Sequence, residues 1–319
     1  MTPRAERTAS GRDPAGVTVI VVAYAHEQYV LECLESIEAQ TEAPQRILVA
    51  DDCSPDGTAA VIERFCAEHP RAEFHPNASN LGLNRTLNRM LARVDTPYVT
   101  YISADDTMLP HRIATHRALL DANPDAVLAY SDAIVIDGES RATGARSSDE
   151  FPWPTDEARR SRPFSALLET NWMPAASLFL RTAALRAAGG YCEEIFFEDF
   201  ELHVRLSRDH AFVWTEEPLV AVRRLETSLG AMGFASSSPR FIVSLDTALR
   251  HYEGTGGHEE AVARSRRWEL AKRAIGTDMP RREALRLLRD ARRGASSPLA
   301  RARHGARWAL SCIAPRRAR

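Results

Sequence analysis

The sequence predicts an α/β fold: a doubly wound, mixed but mostly parallel sheet with a helical C-terminal extension. Two observations carry that prediction. Over residues 17–136, short β-branched apolar runs alternate with apolar residues at helical spacing, as when crossover helices cover both faces of a sheet. From Pro239 onward only amphipathic helical patterns follow.

The run Val17–Ala23 is nearly continuous in β-branched residues and reads as a strand buried on both faces. Val30, Leu31, Leu34 and Ile37 recur at helical spacing, and Arg46–Ala50 is a second buried run ending in Asp51-Asp52, which completes a βαβ unit. Asp56 and Thr58 are suited to cap a helix bearing Val61, Ile62 and Phe65. A further helix carries Leu83, Leu87, Met90 and Leu91, and Tyr98–Ile102 is the next strand, ending at Ser103-Ala-Asp-Asp106. Pro110 suits the first turn of the helix after it. Residues 140–162 are polar, with Pro152 and Pro154 around Trp153, and read as a loop or lid. Beyond them come a strand at Ser177–Leu180, a short helix at Thr182–Ala188, a turn at Gly189-Gly190, a helix at Asp199–Arg208, and strands at Ala211–Trp214 and Leu219–Arg223. Four helical patterns close the chain, at Ile242–Tyr252, Glu260–Ile275, Arg281–Ala291 and Leu299–Ile313, and no internal repeat is visible.

With 319 residues, 44% hydrophobic and 26% charged, the chain can bury a sizeable core as one large or two modest domains, which excludes disordered and fibrous classes. Its longest apolar stretch, Val17–Tyr24, falls far short of the ~20 residues that cross a bilayer. The first fifteen residues carry Arg4, Arg7 and Arg12 and no apolar segment, so a cytoplasmic location without a secretory signal is expected. Cys33, Cys53, Cys66, Cys192 and Cys312 contain no C-x-x-C pair and fit neither a disulfide framework nor a zinc site. Twelve arginines against Glu283 and Asp290 give residues 281–319 a charge of +10 within an overall −2. That basic tail admits peripheral contact with an anionic membrane surface, where Leu299, Trp308, Leu310 and Ile313 lie among Arg301, Arg303 and Arg307. It equally admits a homo-oligomer contact, or packing on the body with the arginines in water. The acidic body and the lack of an aromatic-basic platform argue against nucleic acid.

In open parallel sheets, ligands bind outside the carboxyl ends of the strands. Asp51, Asp52, Asp105 and Asp106 all sit at such ends and are expected on one side of the sheet. Four carboxylates around one cleft repel each other unless a cation joins them, so the pattern asks for a divalent metal.

The ordered segments Ala23-Tyr-Ala-His-Glu27, Asp51-Asp-Cys-Ser-Pro-Asp-Gly-Thr58, Asn80-Leu-Gly-Leu-Asn-Arg-Thr-Leu-Asn88, Ser103-Ala-Asp-Asp106, Gly189-Gly-Tyr191 and Glu198-Asp-Phe-Glu-Leu202 resemble the GT-A fold family 2 glycosyltransferases over roughly residues 15–230. The resemblance implies transfer of a sugar from a nucleotide diphosphate donor, UDP- or dTDP-linked, to an acceptor hydroxyl with inversion, in polysaccharide, glycolipid or natural-product biosynthesis. It also implies a flexible segment at 1–15 and a catalytic domain at 16–235, with a nucleotide-binding half at about 16–136 and an acceptor half at about 163–235. A helical, Arg-rich extension at 236–319 follows.

On the nucleotide side the resemblance assigns Asp52 to the uracil N3 proton with Asp51 assisting, and places Ala23, Tyr24, Glu27 and Ala104 beside the nucleotide. Arg85 would approach the base or diphosphate, a solvated helix face being the alternative. Asn80 and Gly82 would shape their loop. Asp105, matching the last aspartate of the family D-x-D, would hold Mn²⁺ or Mg²⁺, with Asp106 as second candidate. Ser103 stands where many members carry the first aspartate. A hard cation there neutralises the departing diphosphate.

The attacking hydroxyl must also lose a proton, which a carboxylate beside the anomeric carbon can take. The family acidic pair matches Glu198-Asp199, with Asp199 as the base and Glu198 or Glu201 as alternatives. The competing reading is a helix-opening acid stabilised by the helix dipole. Leu225 replaces the histidine of a common R-x-H pattern, leaving Arg223, Arg224 or Glu226 near the diphosphate or metal. His203, four residues after Asp199, would face the acceptor or pack. No glycine lies in the first strand-to-helix turn and no Walker A sequence occurs, which disfavours dehydrogenase and P-loop readings. The alternative function is a catalytically impaired nucleotide-sugar binding module of the same fold, suggested by Ser103 and Leu225.

Overall fold

The computed structural model describes residues 16–225 and 238–293. The helix expected at Leu299–Ile313 and Glu226 lie outside the described residues. Among the described residues nine strands form one sheet: β1 (Val17–Ala23), β2 (Arg46–Asp51), β3 (Ala72–Phe74), β4 (Tyr98–Ser103), β5 (Thr107–Met108), β6 (Ala126–Ile136), β7 (Ala142–Arg146), β8 (Phe179–Arg181) and β9 (Ala211–Arg223). Their order is β3-β2-β1-β4-β8-β6-β9-β5, with β7 pairing on β6. The β1–β2, β1–β4, β2–β3 and β6–β9 pairs are parallel, whereas β8 runs antiparallel between β4 and β6. The mostly parallel, mixed sheet is therefore the one expected.

Both faces of the sheet are buried, which explains why β1 has no polar side. Val17, Val19 and Val21 pack with α1 (Val30–Glu38), α2 (Thr58–Glu68) and α4 (Arg112–Ala122) through Val30, Leu34, Ile62, Phe65, Ile113 and Leu120. Ile20 and Val22 face the other way, into a larger core shared with α3 (Leu83–Leu91). That second core continues through α8 (Glu198–Ser207) into three C-terminal helices, α9 (Pro239–Arg250), α10 (Gly257–Ile275) and α11 (Arg281–Arg293). The C-terminal helices thus pack into the body of the sheet.

Three expectations are corrected. Residues 140–162 are not a plain loop: they contain β7, a short helix α5 (Ser147–Glu150) and a short helix α6 (Glu157–Ser161). Buried Asp132 anchors the segment, accepting from the Ser147 hydroxyl at 2.7 Å and from Ser148 through both its N–H (3.2 Å) and its hydroxyl (2.6 Å). Arg160 lies over the rings of Trp153 and Trp214. Second, the strands expected at 211–214 and 219–223 are one strand, β9, whose register against β6 jumps from Thr215↔Ser131 to Pro218↔Asp132. Glu216 and Glu217 bulge out there, and Pro218, which lacks a donor, is tolerated at such an irregularity. Third, Ala175–Ser177 is a 3-10 turn and β8 begins only at Phe179. The remaining short helix, α7 (Thr182–Ala187), lies where the sequence places it.

Candidate active site

The carboxyl end of β1 leads into a turn that is stitched to the loop after β2. The N–H of Ala25 donates to Ser54 Oγ (3.0 Å), that of His26 to Thr58 Oγ1 (2.9 Å) and that of Glu27 to the Asp56 carboxylate (3.2 Å). In return the Gly57 N–H donates to Glu27 Oε2 at 3.0 Å, so close an approach that a Cβ at 57 would lie 2.3 Å from Oε1. Glu27 is thereby a brace of the turn. Ala23 and Ala104 are wholly buried, and the Ala23 carbonyl accepts from the Asp52 N–H at 2.9 Å, so neither side chain is open to a ligand. Tyr24 is different: the residue is 47% exposed and can offer an aromatic face.

The loop after β2 stores strain at Cys53, whose φ of +63° suits glycine far better than a residue with a Cβ. Cys53→Gly is expected to raise stability by about 0.5–1 kcal/mol, read as a higher urea midpoint. An unmoved or lower midpoint would show that the loop relaxes around the side chain.

Asp52 is buried and fully engaged within the chain. Its Oδ1 accepts from the N–H of Leu81 (2.8 Å), the amide of Asn77 (2.6 Å) and the hydroxyl of Thr86 (3.2 Å), and its Oδ2 accepts from the N–H of Gly82 (2.9 Å). A carboxylate offers about four acceptor positions. Asp52 therefore spends them shaping the 77–86 loop, in which Gly82 has φ +83°. Asp51 accepts from both the N–H (3.1 Å) and the hydroxyl of Ser54. Arg85 is exposed, with Glu193 3.6 Å from its Nε.

Asp105 and Asp106 follow β4, and their carboxylates diverge. The Asp105 carboxylate accepts from the Ser103 hydroxyl and lies 3.8 Å from His26 Nε2, facing the turn after β1. Asp106 Oδ1 accepts from the Arg223 N–H at 2.8 Å, and its charge is felt by wholly buried Cys33 and Arg112. Burial, then the neighbouring charge of Asp105, pushes Asp106 well above the ordinary carboxylate range. Of the two, Asp105 is the one facing the turn after β1.

Arg223 locks this corner. Its Nε donates to the Asp105 carbonyl at 2.7 Å, its Nη1 to the Asp137 carbonyl and the Ser140 hydroxyl, and its Nη2 to Glu32, while the guanidinium lies 4.4 Å from the Tyr29 ring centroid. Committed on every side, Arg223 has no hand free for a diphosphate, and Arg224 pairs with Glu150. Leu225 makes contact near Gly138.

The expected gathering of Asp51, Asp52, Asp105 and Asp106 around one cation is not found. The pairs flank β1 at the same edge of the sheet, since Ala23 is level with Asp51 and Val22 with Ser103, but each pair is satisfied locally. Among the described residues no three His, Cys, Asp or Glu side chains meet as a metal site. A cation held by Asp105 would draw its remaining ligands from phosphate oxygens and water, as Mg²⁺ commonly does.

Glu198 and Asp199 open α8, and both are buried. The helix N-terminus favours negative charge, yet desolvation wins. Burial, followed by the charge of Asp199, pushes Glu198 up to about 8. Burial pushes Asp199 up to about 7 against hydrogen bonds from the Phe200 N–H and the Asn171 side chain. The buried Tyr101 phenol is raised by desolvation and then by the charges of Glu198, Asp105 and Asp106. Glu201 behaves oppositely. Burial would raise it, but hydrogen bonds from His251 and a bidentate Arg205 outweigh that and hold it below the ordinary value, which makes it a structural anchor. His203 is wholly buried and packs instead of facing an acceptor.

Sequence reasoning missed the supports of this pair. The Asn88 amide exchanges hydrogen bonds with Tyr191, donating to its carbonyl and accepting its N–H at 2.8 Å each, and Asn84 donates to the carbonyls of Cys192 and Ile195. From α9, the Ser244 hydroxyl accepts the N–H groups of Phe196 and Phe197, both at 3.1 Å, just before Glu198. Asparagines four apart on α3 were the signal available for the first; a serine in a helix gives none for the second.

Comparison with known proteins fits this architecture. Residues 18–184 match the sequence model of glycosyl transferase family 2, slightly over half of the chain, and the chain belongs to that family. It is 27% identical over 176 residues to the putative glycosyltransferase EpsE of Bacillus subtilis, covering 55% of this chain and 59% of EpsE. It is 26% identical over 215 residues to an uncharacterized protein of Mycobacterium tuberculosis, covering 65% of this chain and 58% of that protein. The match thus spans less than two thirds of those relatives' length. Among solved structures, Staphylococcus aureus TarS in complex with UDP-GlcNAc superposes with a TM-score of 0.64 at 16% identity, covering 87% of this chain and 81% of that one. The mannosyltransferase PcManGT of Pyrobaculum calidifontis, in complex with GDP-Man and Mn²⁺, gives 0.56 at 18% identity, covering 94% and 81%. These likenesses establish the GT-A fold.

Proposed function

We propose that the protein is an inverting glycosyltransferase that moves a sugar from a nucleotide diphosphate donor, UDP-linked, to an acceptor hydroxyl. The observation that carries this reading is the buried Glu198-Asp199 pair at the start of α8, raised by burial to about 8 and about 7. A carboxylate titrating near neutrality is a base matched to proton removal from an alcohol in its transition state. Asp199 takes the hydroxyl proton as the oxygen attacks the anomeric carbon, and Glu198 beside it keeps the site's second proton. Tyr24 offers its exposed ring to the base, while Asp52 and Glu27 act behind it by fixing the loops. Asp105 would hold Mn²⁺ or Mg²⁺, which when bound supplies positive charge to the leaving diphosphate. The GDP-Man and Mn²⁺ of PcManGT and the UDP-GlcNAc of TarS support both donor class and metal.

The catalytic unit in this reading takes in α9–α11 and does not stop near residue 235. Peripheral membrane contact through the basic tail at 281–319 is a further part of the proposal. Among the described residues no helix is long and apolar enough to cross a membrane.

Calorimetric titration with UDP tests the assignment of the metal. Asp105→Ala is expected to weaken UDP binding about tenfold or more in Mn²⁺ and to leave binding in EDTA unchanged. Equal loss in both conditions would remove Asp105 from the metal. Release of UDP from a panel of UDP-sugars with Mn²⁺ separates the enzyme from the impaired binding module, which would bind donors and turn none over.

A further inference from the structure

The turn after β1 and the turn after β4 meet at one pair of side chains. Nε2 of His26 lies 3.8 Å from Oδ2 of Asp105, with 19% of the histidine side chain and 11% of the aspartate side chain open to solvent. Each partner is fixed from its own side. The His26 N–H donates to Thr58 Oγ1 at 2.9 Å, and the His26 carbonyl accepts the N–H groups of Tyr29 and Val30, both at 2.9 Å, where α1 begins. Asp105 Oδ1 is occupied by the Ser103 hydroxyl, and the Asp105 carbonyl accepts from Arg223 Nε at 2.7 Å. Oδ2 is therefore the oxygen left to face the histidine. The other ring nitrogen, Nδ1, is buried without a partner among the described residues, so Nε2 is the nitrogen with a polar group in front of it.

A separation of 3.8 Å exceeds a hydrogen bond, which for N–H···O closes to about 2.7–3.2 Å. It does fit two ligands of one ion. At metal–ligand distances of about 2.1 Å, two donor atoms stand about 3.0 Å apart at a right angle and about 4.2 Å apart when opposed. The two donors also differ in what they select. Carboxylate, phosphate and water oxygens suit Mg²⁺ and Mn²⁺ alike, whereas imidazole suits transition-metal ions.

We propose that His26 Nε2 joins Asp105 Oδ2 in holding the cation, and that this pair makes the protein select a transition-metal ion such as Mn²⁺ over Mg²⁺. The inference rests on the reading of Asp105 as the metal residue; the remaining ligands are diphosphate oxygens and water. A ligating imidazole carries its proton on the far nitrogen. Because nothing among the described residues accepts from Nδ1, the ring lacks the partner that strengthens such ligands, and its expected contribution is modest, about tenfold in affinity.

Two measurements on the full chain with UDP test this, and neither needs turnover. Pulsed EPR of the protein with Mn²⁺ and UDP is expected to show modulation from a directly bound nitrogen, which changes on ¹⁵N-histidine labelling and disappears in His26→Gln. The labelled parent alone decides this measurement, so it stands even if the variant does not fold. In calorimetric titration with UDP, His26→Gln should bind about tenfold more weakly than the parent in Mn²⁺ and within about twofold of it in Mg²⁺ and in EDTA. Bound Mn²⁺ without modulation from histidine nitrogen overturns the inference and leaves His26 and Asp105 as a plain charge pair. An equal loss in all three conditions overturns it too, by placing His26 against the nucleotide. Asp105→Ala separates the two ideas. Undiminished UDP binding by that variant in Mn²⁺, or a parent that takes up no Mn²⁺ with UDP, defeats the metal reading and the inference with it. A loss in Asp105→Ala beside unchanged binding in His26→Gln defeats only the role of His26.

Discussion

Asp199→Asn is expected to lose sugar transfer by about 10²–10⁴-fold while its affinity for UDP stays within about twofold of the parent. The asymmetry follows from where the residue sits. Asp199 opens α8, held by the Asn84, Asn88 and Ser244 supports, while the candidate donor contacts lie on the β1 and β4 turns. An amide keeps the shape and the bond from the Phe200 N–H to the side-chain oxygen but cannot take a proton. The pH profile supplies a second check. With the base ionised only above about 7, transfer by the parent should climb through that pH and flatten above it. Full activity in the variant, or a parent profile flat from pH 5 to 9, would place the base elsewhere.

Glu198→Gln is expected to make the protein more stable at pH 9. The sign is set by linkage. In the unfolded chain Glu198 ionises near 4.5, and in the folded one near 8. Between those values the native state binds more protons than the unfolded one, so stability falls as pH rises from about 4.5 to 8 and is level beyond. The neutral glutamine escapes that loss. Its advantage over the parent should therefore be absent at pH 4 and reach on the order of 2–4 kcal/mol at pH 9, since every tenfold difference in proton affinity between the folded and unfolded chain is worth about 1.4 kcal/mol and Asp199 shares the cost. Thermal melts at the two pH values measure it, at roughly 2–4 °C for each kcal/mol. A variant less stable than the parent at pH 9 would mean that Glu198 is paired and ionised in the native protein.

The sheet is legible in the sequence because burial on both faces writes itself into β1, β2 and β4 as nearly continuous apolar runs. β3 and β5, with three and two residues, are too short to leave a pattern. The bulge at Glu216 and Glu217 reads as a gap between two strands because local polarity hides a shared ladder. In the site, sequence shows which carboxylates exist and not which donors reach them. Asp52 and Glu27 look like ligand contacts because the donors that occupy them come from the loops at 77–86 and 57. Glu198, Asp105 and Asp106 stand in the ordered motifs, but the braces from Asn84, Asn88 and Ser244 join residues up to more than a hundred positions apart and have no local signature.

The seat of Ser244 under the backbone at 196–197 limits how such a protein can diversify. A lineage that exchanged its C-terminal helices to reach a new acceptor would at the same stroke remove the hydroxyl that receives those two N–H groups. Swapped halves would need to arrive with a matching serine to keep the backbone ahead of α8 in its place.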